Sequence, residues 1–210
     1  EGMLNVNGRD RVITSLEHKV PDRVPLDIGG CNNTTMHVKV ENALKVELNL
    51  QDNGTVIRHF ADGIVVPDES ILQYFGSDTR CIYIDEIKPW IYDEESNVYY
   101  DQWNIGYKKS PNGYFFDFYS NPLKNIDEVE KLENLTFFEP NKAMMVGLTD
   151  RIAHYKGEYC LILEGFREQF LGIPSWLRGN ENFYIDLVSD DGLAEMLLDI
   201  LEAHYFKWVD

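Results

Sequence analysis

Residues 21–30 read Pro21-Asp22-Arg23-Val24-Pro25-Leu26-Asp27-Ile28-Gly29-Gly30. A proline disfavours helix at the residue before it, so the two prolines predict an extended backbone here. Leu26 and Ile28 flank Asp27, and this alternation is typical of a short strand. The glycine pair that follows lets the backbone turn sharply or approach a ligand closely. The stretch therefore predicts a turn, a buried strand over residues 24–28 and a glycine loop.

Asp27 has two interpretations. An α/β enzyme commonly places an acid at the carboxyl end of a strand, beside a glycine-rich loop. In that case Asp27 binds substrate, and Asn32 and Asn33 in the following loop add polar groups to the same pocket. The alternative is that Asp27 only caps a turn.

Two further acids follow apolar, β-prone runs. Asp85 comes after Cys81-Ile82-Tyr83-Ile84, and Glu164 comes after Tyr159-Cys160-Leu161-Ile162-Leu163. The second run indicates a strand that is buried on both faces. If the strands are parallel neighbours, Asp27, Asp85 and Glu164 meet at one edge of the sheet, where clustered acids suit proton transfer or ligand binding. Alternatively, Asp85 belongs to a solvated acidic loop with Glu86.

Hydrophobic periodicity predicts several helices around these strands. They cover about residues 9–17, 36–48, 68–75, 141–156, 170–177, 182–188 and 190–209. Residues 90–120 are rich in aromatic side chains, and their alternation predicts antiparallel hairpins. These hairpins would form a lid or side wall, or the aromatic side chains would simply pack the small sheet onto the main body.

Composition limits the classes of function. The 210 residues are 44% hydrophobic and carry a net charge of −17, so we expect a globular protein that binds neither nucleic acid nor an anionic membrane surface. The three cysteines form no Cys-x-x-Cys pair, and the N-terminus lacks the pattern of a secretory signal. We therefore expect a cytoplasmic protein that takes a small-molecule substrate.

Several fragments carry a resemblance to a known family. In chain order they are His18-Lys19-Val20-Pro21-Asp22-Arg23-Val24-Pro25 with Gly29-Gly30, Phe75-Gly76-Ser77-Asp78, Asp101-Gln102-Trp103-Asn104, Asn121-Pro122-Leu123, and Leu177-Arg178-Gly179-Asn180-Glu181-Asn182-Phe183 followed by Asp186-Leu187. Together they resemble the uroporphyrinogen decarboxylase superfamily, most closely its branch of corrinoid-dependent methyltransferase-like proteins.

The resemblance implies a fold. Members of this family are (β/α)8 TIM barrels, which usually take about 250 residues. The last predicted helix reaches Asp210 without a stop signal. We therefore expect a single domain over residues 1–210 that forms the N-terminal part of the barrel, with an antiparallel hairpin insertion at about 90–120. A natural half-barrel that forms a homodimer is the alternative.

The resemblance also implies site residues and cofactors. In the decarboxylases an aspartate after the second strand binds the substrate's pyrrole nitrogens, and this role falls on Asp85 as the catalytic residue. The arginine motif that grips the carboxylates of the tetrapyrrole is missing from the loop after Gly30. In the methyltransferase-like branch, zinc is held by a His-x-Cys pair and a distant cysteine. No His-x-Cys occurs here, so the chain alone is expected to bind no metal and no cofactor.

Three hypotheses for function result. The first is methyl transfer between a corrinoid, usually on a partner corrinoid protein, and a small acceptor, with the zinc ligands beyond Asp210. Asp27, Asn32, Asn33, Asp85 and Glu164 would then line the substrate mouth. The second is cofactor-free decarboxylation of uroporphyrinogen. The third is a non-catalytic binding module.

Overall fold

The computed structural model describes residues 6–83, 90–133, 135, 137, 146–163, 171–189 and 192–207, with the backbone of 164, 208 and 209. Two compact units make up the chain. Unit 1 is Glu1–Ile84 with Met145–Gly165, and unit 2 is Asp85–Met144 with Phe166–Asp210. Each unit is described separately.

The helices and strands occur in the following order. Up to residue 83 they are α1 (Gly8–Leu16), α2 (Val38–Glu47), β1 (Val56–His59), β2 (Ile64–Val66), α3 (Glu69–Phe75) and β3 (Thr79–Tyr83). Then come β4 (Ile91–Asp93), β5 (Val98–Tyr100), β6 (Gly106–Lys109), β7 (Phe116–Ser120) and a 3-10 turn (Val129–Lys131). The last are α4 (Leu148–Tyr155), β8 (Cys160–Glu164), α5 (Gly172–Arg178), α6 (Asn180–Asp186) and α7 (Leu193–Val209). None of these described helices is long and apolar enough to cross a bilayer.

Unit 1 is built on two small sheets. β3 and β8 pair in parallel, in a register that runs from Thr79 opposite Cys160 to Tyr83 opposite Glu164. α1 packs against β8, and α4 packs against β3. β1 and β2 form an antiparallel hairpin that α2 contacts through β2.

The predicted (β/α)8 barrel is wrong. Within the described residues the strands form three separate sheets of two, two and four strands, and only β3 and β8 pair in parallel. A barrel strand is covered on both faces, but the side chain of Leu163 in β8 is 58% exposed. The prediction that this apolar run forms a strand buried on both faces is therefore wrong as well.

The strand predicted over residues 24–28 does not form, because its backbone groups bond mainly to side chains. The backbone N–H of Leu26 donates to a carboxylate oxygen of Asp78 over 2.8 Å, and that of Ile28 donates to the hydroxyl of Ser77 over 3.1 Å. Pro25 has no N–H to donate. The backbone bond from Asp78 N–H to the carbonyl of Leu26 holds the segment against the start of β3. The extended conformation was predicted correctly, but the ladder of a strand is missing.

Most of the predicted helices are present. α1, α2 and α3 lie within one or two residues of the predicted bounds, and Gly76 ends α3 in the left-handed conformation at φ 68°. α4 begins later than predicted, at Leu148. The structure describes nothing of the earlier predicted part from 141 to 145.

Unit 2 contains the predicted antiparallel hairpins. β4, β5, β6 and β7 form one four-stranded antiparallel sheet in sequential order. The Trp103 side chain is buried, and the Phe118 ring packs on Trp176 of α5 at a centroid distance of 5.5 Å. Phe118 and Tyr119 nevertheless leave about half of their surface exposed. The aromatic side chains therefore serve packing only in part.

Arg178 joins α5 and α6 to the segment after β7. Its Nε donates to the Asp186 carboxylate over 2.6 Å, and its Nη1 donates to the carbonyls of Leu123 and Lys124 over 2.9 Å each. Arg178 therefore ties the ends of these two helices to the loop that contains Leu123 and Lys124.

A buried cluster of charged side chains connects α2 to the start of α3. Lys45 of α2 lies 3.1 Å from the Asp68 carboxylate, 2.8 Å from Asp52 and 3.6 Å from Glu41. Glu41 has no exposed surface, and one of its carboxylate oxygens accepts the backbone N–H of Asp68 over 2.8 Å. Asp68 is the N-cap of α3, so the cluster sets the start of that helix.

Replacing Lys45 should destabilise the protein strongly. Lys45→Met leaves two buried carboxylates without their cation, and breaking a buried ion pair in this way costs about 3–5 kcal/mol. Chemical denaturation would measure the loss in free energy of unfolding. Lys39→Met is the control, because Lys39 is an exposed lysine on the same helix. Equal stabilities of the two variants would contradict the proposed importance of the cluster.

Acid should remove part of this stabilisation. Burial opposes ionisation of Asp68, but hydrogen bonds from Ser70, Asn53 and Lys45 outweigh it and hold the pKa well below the ordinary 3.8. A depressed pKa stabilises the fold above the unfolded-state pKa, and this contribution is lost as the pH falls below about 4. The free energy of unfolding of Asp68→Asn should therefore depend less on pH than that of the wild type between about pH 5 and pH 3. If the free energies of unfolding of the two proteins fall equally as the pH is lowered, another group controls the loss of stability in acid.

Candidate functional site

The Asp27 carboxylate is occupied by contacts within unit 1. It accepts the backbone N–H of Gly30 over 2.8 Å and the hydroxyl of Thr79. These bonds close the loop after Asp27 onto the first residue of β3. These are the contacts of a residue that caps a turn, which is the second of the two interpretations of Asp27.

The glycine pair is required by close packing. A Cβ on Gly29 would lie 2.4 Å from Cδ of Pro67, and one on Gly30 would lie 2.4 Å from Oδ1 of Asp27. Gly29 also has a φ of 74°, which side chains rarely adopt. The close approach that the sequence indicated is therefore to Pro67 and Asp27 of the chain itself.

The structure does not bring all the predicted site residues together. Asp27 contacts Thr79 at the N-terminal end of β3, whereas Glu164 pairs with Tyr83 at the C-terminal end. Four residues of strand separate these ends by about 13 Å. The side chain of Glu164 and the whole of Asp85 lie outside the described residues.

The two predicted asparagines lie in the loop after Gly30. Asn32 is half-buried and Asn33 is exposed. The loop closes on itself, because the backbone N–H of Thr34 donates to the carbonyl of Cys31 over 3.1 Å. Neither asparagine lines the cavity described next.

A cavity of about 410 Å³ lies in unit 1 between β3, α3 and α4. Its apolar lining comes from Val66, Pro67, Leu72 and Cys81. Its polar lining includes Glu69, Arg80, Arg151, His154 and Tyr155. Pockets that bind small organic molecules have volumes of about 300–1,000 Å³ and a mostly apolar wall with a few polar groups. The cavity is therefore the candidate ligand site.

The guanidinium of Arg80 is fully engaged inside the protein. Its Nε and Nη2 donate to the Glu69 carboxylate over 2.9 and 2.7 Å, and its Nη1 donates to the carbonyls of Ser77 and Thr79. Its Cζ also lies 3.6 Å from the ring centroid of Tyr159. Arg80 therefore shapes the wall and has few donors left for a ligand.

Arg151 is different. Its Nη2 donates to the carbonyl of Tyr83 over 2.7 Å, and its Cζ lies 4.6 Å from the ring centroid of Tyr83. Its Nε is buried and has no hydrogen-bond partner, and within the part of the chain that the structure describes no carboxylate pairs with it. A guanidinium carries five N–H donors, and among the described residues Arg151 uses one of them, in its bond to Tyr83.

Tyr155 completes the polar wall. Its hydroxyl donates to the Glu69 carboxylate over 3.2 Å. Burial and the neighbouring Glu69 carboxylate raise the pKa of Tyr155, so the phenol stays protonated at neutral pH. The cavity thus offers one cationic group, a neutral phenol and apolar surface.

The described residues do not fit a metal. Among them no three His, Cys, Asp or Glu side chains lie close enough together to hold an ion. None of the three cysteines forms a disulfide bond. The expectation that the zinc ligands lie beyond Asp210 stays a prediction.

Sequence reasoning missed this cavity because it followed acids at strand ends. The cavity is instead lined by Arg80 inside β3 and by Arg151 and His154 of α4. Arg80 was the available signal, because a buried strand seldom carries an arginine without a partner. Arg151 gave no such signal, since charged residues are common on helix surfaces.

Comparisons with models of protein families, with curated proteins and with solved structures found no match for the chain. The site must therefore be interpreted from its own geometry.

The contacts of Asp27 can be tested by two substitutions. Asp27→Ala removes the acceptor for Gly30 N–H and the Thr79 hydroxyl, which should cost about 1–3 kcal/mol of unfolding free energy. Asp27→Asn keeps a side-chain oxygen for both bonds and should lose less. Thermal and chemical denaturation of both variants would measure the difference. A fully stable Asp27→Ala would show that these bonds contribute little and would restore a ligand-binding interpretation.

Proposed function

We propose that this protein transfers a methyl group between a corrinoid and a small acceptor. This is the activity implied by its resemblance to the methyltransferase-like branch of the uroporphyrinogen decarboxylase superfamily, although its described strands do not form the barrel of that family. The observation that carries the proposal is a contact between two of the fragments on which the resemblance rests. The guanidinium of Arg23, from the first fragment, donates to both carboxylate oxygens of Asp78, from the second, over 2.7 and 2.9 Å. The ion pair brings two distant fragments together, and we take this contact as support for the resemblance that they carry.

A second pair of fragments meets in the same way. The side-chain amide of Asn121 donates to the carbonyl of Trp176 over 2.6 Å, and the backbone N–H of Leu123 donates to the carbonyl of Leu177 over 2.9 Å. Asn121 and Leu123 belong to the fourth fragment, and Leu177 begins the fifth. The resemblance therefore extends to fragments of both units.

The cavity supports a small acceptor over a tetrapyrrole. Uroporphyrinogen carries eight carboxylates, and each needs cationic or hydrogen-bonding partners. Of the two arginines that line the cavity, Arg80 is engaged with Glu69. One remaining cation in about 410 Å³ suits a small molecule with one anionic group. Decarboxylation of uroporphyrinogen is therefore the second candidate.

In this proposal the chain holds the acceptor. The apolar wall at Val66 and Leu72 excludes water, and Arg151 orients a polar end of the acceptor. A corrin macrocycle with its side chains exceeds the volume of the cavity, so a partner corrinoid protein would present it. The three cysteines, which form no disulfide bond, suit a reducing, cytoplasmic compartment.

Methyl transfer can be measured directly. The full natural chain, supplied with Zn²⁺, would be incubated without oxygen with methylcobalamin and a panel of small thiols, amines and carboxylic acids. We expect loss of the methylcobalamin absorbance only with a suitable acceptor, and a methylated product by mass spectrometry. Val66→Phe, which narrows the cavity, should slow the reaction about tenfold or more, since a misplaced substrate loses the benefit of orientation.

Val46→Phe is the matched control, because the Val46 side chain is 82% exposed on α2. It should react like the wild type. No methyl transfer with any acceptor would overturn the proposal. Conversion of uroporphyrinogen by the same protein would then support the decarboxylase, and inactivity in both assays would support a non-catalytic binding module.

A further inference from the structure

We propose that the cavity of unit 1 binds the carboxylate group of a small organic acid, with Arg151 as its cationic anchor. The inference deepens the proposed function by naming the charged group of the acceptor, and it rests on that function only in this respect. Binding at the cavity can be measured whatever reaction follows.

The two arginines of the cavity differ in a way that points to a ligand. Arg80 donates four hydrogen bonds to Glu69, Ser77 and Thr79. Arg151 donates one, to Tyr83, and its buried Nε has no acceptor. A buried N–H without an acceptor is costly, and native proteins rarely leave one. The Nε itself has almost no accessible surface, so a carboxylate in the cavity would bind the terminal nitrogens of Arg151. Among the described residues these nitrogens make one hydrogen bond, to the carbonyl of Tyr83.

Guanidinium and carboxylate also match in shape. Two N–H groups of arginine lie parallel and bind both oxygens of one carboxylate. Tyr83 takes one donor of Arg151 from the side, and its ring lies against the guanidinium. The backbone N–H of Arg151 donates to Gly147 within α4, which fixes the base of the side chain. The anchor is thus held in place before the ligand arrives.

The acids that line the cavity do not replace a ligand. Glu69 is held by Arg80 in a two-point ion pair, so the two charges cancel locally. Asp150 precedes Arg151 on α4, and neighbouring residues of a helix point about 100° apart. Asp150 is exposed, and no ion pair joins it to Arg151 in the described structure. The charge of Arg151 is therefore open to a ligand.

The rest of the cavity determines what the acid looks like. Val66, Pro67, Leu72 and Cys81 form an apolar surface beside the cation. Burying a carbon chain or ring there is favourable by about 25 cal/mol for each Å² of apolar surface. The apolar surface favours an acid with a carbon body over inorganic phosphate, which has no apolar surface to bury. The ligand class is therefore a monocarboxylate with an apolar body.

The test compares acids with their neutral amides. The full natural chain would be titrated at pH 7 with acetate, butanoate, benzoate and phenylacetate, and with butanamide, benzamide and phenylacetamide, by calorimetry and ligand-detected NMR. At least one acid with an apolar body should bind about tenfold or more tightly than its amide, because hydrogen bonds to charged groups are the stronger class. Inorganic phosphate should bind more weakly than that acid.

Arg151→Gln should weaken binding of the acid about 10- to 100-fold and leave binding of the amide nearly unchanged. Arg151→Lys, which keeps the charge and loses the fork, should fall between the two. Arg9→Gln is the matched control, since Arg9 is an exposed arginine of the same unit, and it should bind like the wild type. If Arg151→Gln does not fold, the acid–amide comparison on the wild type and the loss of binding in Val66→Phe still decide the question.

Several results would overturn the inference. They are binding of no acid, equal binding of acid and amide, tighter binding of phosphate, or an Arg151→Gln variant that folds and binds the acid unchanged. Failure of the two proposals is distinguishable. Acid binding without methyl transfer refutes only the proposed function. Methyl transfer to an uncharged acceptor, at a rate that the Arg151 substitutions do not change, refutes only this inference.

Discussion

The framework of unit 1 depends on one buried carboxylate. Asp78 is 2% exposed, accepts hydrogen bonds from the guanidinium groups of Arg11 and Arg23, and accepts the backbone N–H of Leu26. Asp78 directly precedes β3, so these bonds join α1 and the extended residues 24–28 to the start of that strand. Arg11 also binds Asp22, and this hydrogen bond lowers the pKa of Asp22 to about 2. Neutralising Asp78 would leave two guanidinium groups short of an acceptor at the point where β3 begins.

The walls of the cavity are held by polar contacts other than those of Asp78. On one wall the Lys45 cluster fixes Asp68 and the start of α3. On the other, the ion pair of Arg80 with Glu69 spans from β3 to α3. Walls that are tied by ion pairs cannot easily collapse into the space between them. The cavity is therefore a consequence of how the sheet and helices are connected, and Arg151 is the polar group that these contacts leave over.

The sequence was informative where the signal is local and less so where it is not. Periodicity predicted α1, α2 and α3, and apolar runs predicted β3 and β8. The barrel was wrong because extended residues do not make a strand unless their backbone groups find a ladder, and those of residues 24–28 bond to Ser77 and Asp78. The cavity was missed because it joins β3 to α4, far apart along the chain, through side chains that belong to no motif.

The fragments that carry the family resemblance share a physical property. Arg23, Asp78, Asn121 and Arg178 all use their polar groups to tie parts of the chain together. Such residues define how elements meet, and they leave the chemistry of a pocket open. These residues therefore connect elements inside each unit. In our proposal, specificity comes from a residue outside the fragments. Arg151 lines the cavity and uses one side-chain donor, to the carbonyl of Tyr83, within the described fold.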